Sequence, residues 1–252
     1  MAIGDKMSTL SRKKAVPPAP VDRLTPILNW LSLVMMVGGL AMVFLYAPRE
    51  RTMGDVQRIF YFHLGSAWVG FFAFFITMLS GVLYLWKAEE RWDRIGNASA
   101  EVGTVFMTMA IVSGSLWARP VWNTWWTWDP RLTISAVQWL LYLAYFMLRA
   151  GIEDPTRRAR FSAVYGIIAF LTVPLSFLSI RLWRTIHPVV VAGDSGEGAE
   201  GAFSMTSPMR QTLFFSLGTF TVLYLALLRQ RLRLAWAQER LARLRQQVLN
   251  LM

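Results

Sequence analysis

Two histidines are the only imidazoles in the chain, and their placement is the first feature that bears on chemistry. His63 stands at the entrance of the second of six apolar runs and His187 shortly after the fifth, so both belong to the same side of whatever bundle those runs form. Two neutral imidazoles on opposite faces of a porphyrin hold a low-spin iron, and ligands distant in sequence but level in depth can supply them. Alone, either one reads as an interfacial polar residue; two at one level, and no others, favour ligation.

The second feature is Trp117-Ala-Arg-Pro-Val-Trp122-Asn-Thr-Trp125-Trp126-Thr-Trp128-Asp129-Pro-Arg131-Leu-Thr, with Trp117, Trp122, Trp125, Trp126 and Trp128 packed into one connection. Tryptophan gathers at membrane interfaces as an anchoring belt, but a belt spreads its rings over several helix ends. Clustered indoles predict a flat apolar wall for stacking on a planar macrocycle. Trp126, Trp128 and Asp129 cannot share a helical face, so extended or turn structure is predicted there, closed by Pro130. Asp129 suits an N-cap of the next helix, and alternatively an acceptor that orients an imidazole. Arg58, Arg119, Arg131 and Arg184 surround these positions, and a guanidinium fork matches the carboxylates that a haem carries. Individually each is equally an interface arginine that binds lipid headgroups.

The elements that must position these groups are membrane spans. Of 252 residues 55% are apolar and only 16% charged, which nearly excludes a soluble enzyme. Uncharged runs at 27–47, 64–86, 132–148 and 161–180 approach or reach the length a bilayer core requires; those at 102–117 and 211–228 do so if helix continues into their flanks, as Ser207-Pro208 suggests for the last. The predicted fold class is therefore an all-α integral membrane protein of six transmembrane helices. Lys and Arg fall 18 to 8 in favour of the side that carries both termini, which predicts cytoplasmic termini and outer loops at 48–63, 118–131 and 181–210. The expected division is a cytoplasmic tail at 1–26, the six-helix unit at 27–228 and a basic amphipathic tail at 229–252. The polar residues ahead of the first span lead to no small-residue cleavage site, so that span is expected to stay as an anchor. Pro174 should kink the fifth span.

Several functions are excluded or disfavoured. No Gly-Lys pair occurs, so the phosphate-cradling GxxxxGK[ST] loop is missing and ATP hydrolysis would have to come from a partner. The uncharged runs hold no Asp, Glu, Lys, Arg or His, which argues against ion-coupled transport. Without cysteine the chain forms no disulfide, attaches no haem through thioethers and exchanges no thiols.

The motifs resemble those of a known group. Trp126 to Asp129 and their approach are similar to the WWD signature of the haem-handling proteins of cytochrome c biogenesis, and most closely to the haem exporter protein C family of the System I cytochrome c maturation pathway. The likeness is carried by Gly54-Asp-Val-Gln-Arg58-Ile-Phe-Tyr-Phe-His63, by Trp122-Asn-Thr-Trp125-Trp126-Thr-Trp128-Asp129-Pro-Arg131-Leu132-Thr133, and by Leu182-Trp183-Arg184-Thr185-Ile186-His187. The resemblance implies that His63 and His187 are axial ligands to haem b held without a covalent bond, and that the WWD loop is an outward platform where a haem chaperone docks. It also implies association with the ATPase and membrane subunits of an ABC transporter in the plasma (inner) membrane. Asn123 departs from the usual Gly and Pro130 from a frequent Ala, which bears on the loop's path. System II relatives are longer and usually carry Lys-Glu where this chain has Arg131-Leu132.

The sequence thus reads as a haem-binding transfer and assembly factor, not an enzyme. A cytochrome b-like electron carrier with the same two ligands, a System II-type subunit, and a non-haem assembly subunit with an aromatic belt are the competing readings. In the C-terminal tail Leu234, Ala237, Leu241, Leu244, Val248 and Leu251 alternate steps of three and four, a coiled-coil-like seam for a cytoplasmic partner or a helix lying on anionic lipid, with lipid preferred. The Gly- and acid-rich stretch 193–201 is assigned no role.

Overall fold

A computed structural model describes residues 22–183, 187 and 205–249. Apart from one isolated bridge between Glu50 and Gly54, their regular structure is helical. Helix α1 (Leu24–Ala41) closes in a π turn (Met42–Tyr46), and a 3-10 turn (Asp55–Arg58) leads into α2 (Ile59–Lys87). There follow α3 (Glu90–Trp122), α4 (Pro130–Ala150), α5 (Pro155–Phe170), α6 (Thr172–Leu182) and α7 (Ser207–Leu249). α5 and most of α6 form one span, so six helical stretches are long and apolar enough to cross a membrane, as the sequence predicts.

Local chemistry sets the boundaries. Both α4 and α5 open with Asp-Pro: Asp129 accepts hydrogen bonds from the amides of Arg131 and Leu132, and Asp154 accepts one from Arg157. The carboxylate satisfies amides that have no partner in the first turn, and proline at the first helical position loses nothing. α2 stops at Ala88, whose left-handed backbone (φ 52°) reverses the chain into α3 within two residues. Pro174 lacks the N–H that would bond Phe170, and the fifth span breaks at Leu171 instead of running straight. The Thr172 hydroxyl donates to Ala169 O at 2.6 Å beside this break.

The helices extend past their uncharged runs, and the charges there pair at the end of the bundle away from His63. Arg149 makes a two-pronged contact to Asp93 at 2.6 and 3.0 Å. The centre of the bundle is the α2–α3 pair. At Gly103 a Cβ would meet Ala73 Cβ at 2.7 Å, so glycine is what lets the two backbones approach. Phe74 stacks on Tyr142 at 3.4 Å between ring centroids, tying α4 to this pair, and Ala169 and Val173 complete the cluster from α5 and α6. Val69, Phe106, Phe220 and Tyr224 bind α7 to the other side. α1 packs on α7 at the periphery and turns Trp30, Val34 and Val37 away from the bundle.

α7 is unbroken through 43 residues, about 64 Å at 1.5 Å per residue. Over its described part the C-terminal segment is therefore not a separate helix. It continues the sixth span, and ion pairs brace it there: Arg229 to Asp22 at 3.0 Å, Arg94 to Glu239 at 3.1 Å, and Arg231 to Glu101.

Candidate functional site

His63 and His187 converge. His63 lies one turn inside α2, because helix begins at Ile59 ahead of the uncharged run, and its ring sits 6.4 Å from that of His187, the planes 40° apart. His63 Nδ1 donates to Ala110 O at 2.9 Å, with Ser113 Oγ at 3.3 Å, both on α3. Ser113 spends its own proton on Met109 O at 2.6 Å. A carbonyl can only accept, so the proton resides on Nδ1 and Nε2 carries the lone pair, which leaves Nε2 as the nitrogen able to ligate a metal. Gly114 lies against the same ring.

Two imidazoles at this separation would both be able to hold a single iron placed between them. Among the described residues no cluster of three or more His, Cys, Asp or Glu exists to hold a bare metal ion. Two protein nitrogens suit an iron whose equatorial ligands come with it, as in a porphyrin.

The tryptophans are divided between helix and loop. Trp117 and Trp122 belong to α3, which runs past the predicted end of its span, and residues 123–129 carry no regular structure. The indoles do not make the flat wall expected from their clustering. Trp117 meets Trp122 edge-to-face at 5.1 Å and Trp126 meets Trp128 edge-to-face at 5.8 Å, the arrangement that ring quadrupoles favour over parallel faces. Trp125 and Trp128 present exposed faces, at 56% and 78%. The Nε1 atoms of Trp117 and Trp126 and the hydroxyls of Thr127 and Thr133 are buried without a hydrogen-bond partner among the described residues. Asp129 caps α4, the first of its two predicted roles.

The arginines separate by what they touch. Arg58 pairs with Asp55 at 3.2 Å and lies over Phe44. Arg119 donates twice to Asn123, at 2.8 Å to its backbone and side-chain oxygens, and lies over Trp125. Arg131 is half-buried, sits 5.7 Å from the Phe177 ring centroid and lies within electrostatic reach of His63. No hydrogen bond or ion pair from its side chain occurs among the described residues. Arg184 and the stretch 193–201 lie outside the described residues; α6 ends at Leu182, and Trp183 is extended.

The residues that hold His63, namely Ala110, Ser113 and Gly114, are not among those the sequence singles out. Their only signal is the small-residue patch Ser113-Gly114-Ser115 inside an apolar run, and a backbone carbonyl acceptor leaves no mark in side-chain pattern.

The sequence model described as Heme exporter protein C matches residues 12–247. The chain belongs to the Heme exporter protein C family. Curated relatives of that name include those of Bradyrhizobium diazoefficiens, 29% identical over 211 residues (83% of this chain and 79% of the relative), and Paracoccus denitrificans, 29% over 222 residues (86% and 90%). The Heme exporter protein C of Escherichia coli K12 is 29% identical over 205 residues, 79% of this chain and 81% of the relative. Within this chain, Asn123 has φ 55° and ψ 24° at the end of α3. That is the left-handed conformation which glycine adopts freely and asparagine tolerates best among the others, so the two residues serve one turn.

Proposed function

We propose that this protein binds haem b non-covalently at one end of its helical bundle, with His63 and His187 as axial ligands, and passes it to a haem chaperone for cytochrome c assembly. The observation that carries the reading is the approach of the two imidazoles to 6.4 Å, with His63 Nδ1 already committed to Ala110 O. His63 is the fixed ligand: its ring orientation and tautomer are set by α3 before cargo arrives. His187, beyond the end of α6, is the ligand supplied by the connection to α7.

Trp125 and Trp128 offer apolar faces for the macrocycle or the incoming chaperone. The partnerless indole and hydroxyl donors at Trp117, Trp126, Thr127 and Thr133 would be satisfied by water or by polar groups of the cargo. Arg131, whose side chain makes no hydrogen bond or ion pair among the described residues, is the first choice for a propionate, ahead of Arg58 and Arg119, which already have partners. A haem held by two nitrogen ligands at the rim of a bundle can be captured and still exchanged, which a delivery step demands and a buried redox site does not.

The distribution of Lys and Arg supports cytoplasmic termini and an outer WWD loop in the plasma (inner) membrane. The relatives' name, an exporter of haem, supports the further assignment of ABC transporter subunits as partners that supply ATP hydrolysis. The test is chaperone loading in membranes that contain the complete system. Replacing either histidine by alanine is expected to stall loading; normal loading by the double replacement would overturn the proposal.

A further inference from the structure

We propose that the free end of α7 is a docking surface for an acidic amphipathic helix of another protein, on the membrane side opposite His63. The argument begins with length. The uncharged part of the sixth span ends at Leu228, while α7 continues to Leu249. At 1.5 Å per residue Leu241 is about 20 Å and Val248 about 30 Å beyond Leu228, past the roughly 5–8 Å that headgroups occupy on one side of a bilayer. The ion pairs of Arg229 with Asp22, Arg231 with Glu101 and Arg94 with Glu239 hold the helix in line with its span, so that it cannot bend down onto lipid without breaking them.

Leu234, Leu241, Leu244 and Val248 on this projecting helix are each at least 40% exposed, and Ala237 is exposed between them. With Leu234, Leu241 and Val248 at heptad position a and Ala237 and Leu244 at d, they form one continuous apolar seam. The flanking e and g positions hold Gln238, Arg240, Arg245 and Gln247. Glu239, the segment's acidic residue, lies on the opposite face and bonds Arg94 and Arg243. Arg240 lies over its own Trp236, and neither Arg240 nor Arg245 makes an ion pair among the described residues.

Charge chooses the occupant. In a parallel pair of copies Arg240 at g faces Arg245 at e of the other chain, and in an antiparallel pair like positions face each other, so self-association opposes arginine to arginine. A partner helix with Glu or Asp at its own e and g positions pairs with both arginines while its apolar face covers Leu241, Leu244 and Val248.

The test uses the full chain in phosphatidylcholine nanodiscs. It has no native cysteine, so Gln247→Cys carries a single environment-sensitive dye beside the seam. The probe is a synthetic four-heptad peptide with Leu at a and d and Glu at e and g, compared with its Lys counterpart. The Glu peptide is expected to bind at least about tenfold more tightly than the Lys peptide, roughly 1.4 kcal/mol. Arg240→Glu with Arg245→Glu is expected to reverse the preference, and Leu241→Ser with Leu244→Ser to weaken binding at least about tenfold. Leu241, Leu244, Arg245 and Gln247 are exposed and Arg240 half-buried, and an unchanged helical circular dichroism signal confirms the fold. Equal binding of both peptides, or of neither, overturns the proposal. A dye response to anionic lipid without peptide reassigns the seam to the membrane surface, and energy transfer between labelled copies reassigns it to self-association.

Discussion

Gly114 of α3 stands so close to His63 that a Cβ built on it would meet His63 Cε1 at 3.0 Å and Nδ1 at 3.3 Å. The absent side chain is what allows the imidazole to lie against α3 and reach the Ala110 carbonyl. In the proposed function this contact fixes the orientation of the first axial ligand. Gly114→Ala obliges the ring to give by a few tenths of an ångström, and Gly114→Val displaces it. Gly114→Val is expected to retain haem about tenfold less tightly and to show a larger high-spin fraction, with Gly114→Ala between it and the parent. Titration with haem, followed by visible absorption, checks the order; a Gly114→Val protein identical to the parent would contradict it.

The three described arginines near the site are not equivalent. Arg58 is engaged by Asp55 and Arg119 by Asn123, whereas Arg131 holds its charge over Phe177. Arg131→Gln is therefore expected to weaken haem retention by about tenfold, and more than Arg58→Gln or Arg119→Gln. Arg131→Lys should recover part of the loss, since charge remains but the two-pronged fork does not. Haem transfer to apomyoglobin measures all four proteins; equal release rates would contradict the assignment.

Much of this was legible because membranes impose simple rules. Uncharged runs gave six spans, and Asp129-Pro130 marked a helix start from its residue types alone. The meeting of His63 with His187 was predictable only as a shared level; their proximity depends on how α2 and α6 pack, which run length does not encode. The division of the tryptophans was misjudged for a physical reason. Trp117 and Trp122 read as loop because α3 outlasts its apolar stretch, and edge-on pairing depends on contacts that composition does not record. The carbonyl of Ala110 was invisible for the same reason. For the C-terminal helix the amphipathic pattern left a partner and a lipid surface both open, because it cannot reveal ion pairs made with Asp22, Glu101 and Arg94, residues far off in the chain.

Asp22 supplies a pH dependence at the other end of the bundle. Hydrogen bonds from the Thr25 hydroxyl and backbone N–H, with a further contribution from Arg229, hold its carboxyl well below the usual carboxylate range. A depressed pKa means that the stabilisation is complete above the unfolded value of about 3.9 and is lost as pH falls from there toward the folded one. Asp22→Asn is expected to lower the thermal midpoint at about pH 7, and the gap from the parent to narrow between about pH 5 and about pH 3. Unfolding in detergent across that range checks the sign. A gap that is constant or widens with acid would contradict it.

The central claim is that one haem is held between His63 and His187, and the visible absorption spectrum of the purified protein tests it most directly. Oxidised and then reduced, the haem-loaded parent is expected to show the sharp bands of a low-spin, two-imidazole iron. His63→Ala and His187→Ala should each lose those bands or convert to high spin. A parent that stays colourless with added haem, or low-spin bands that survive both replacements, would contradict the account.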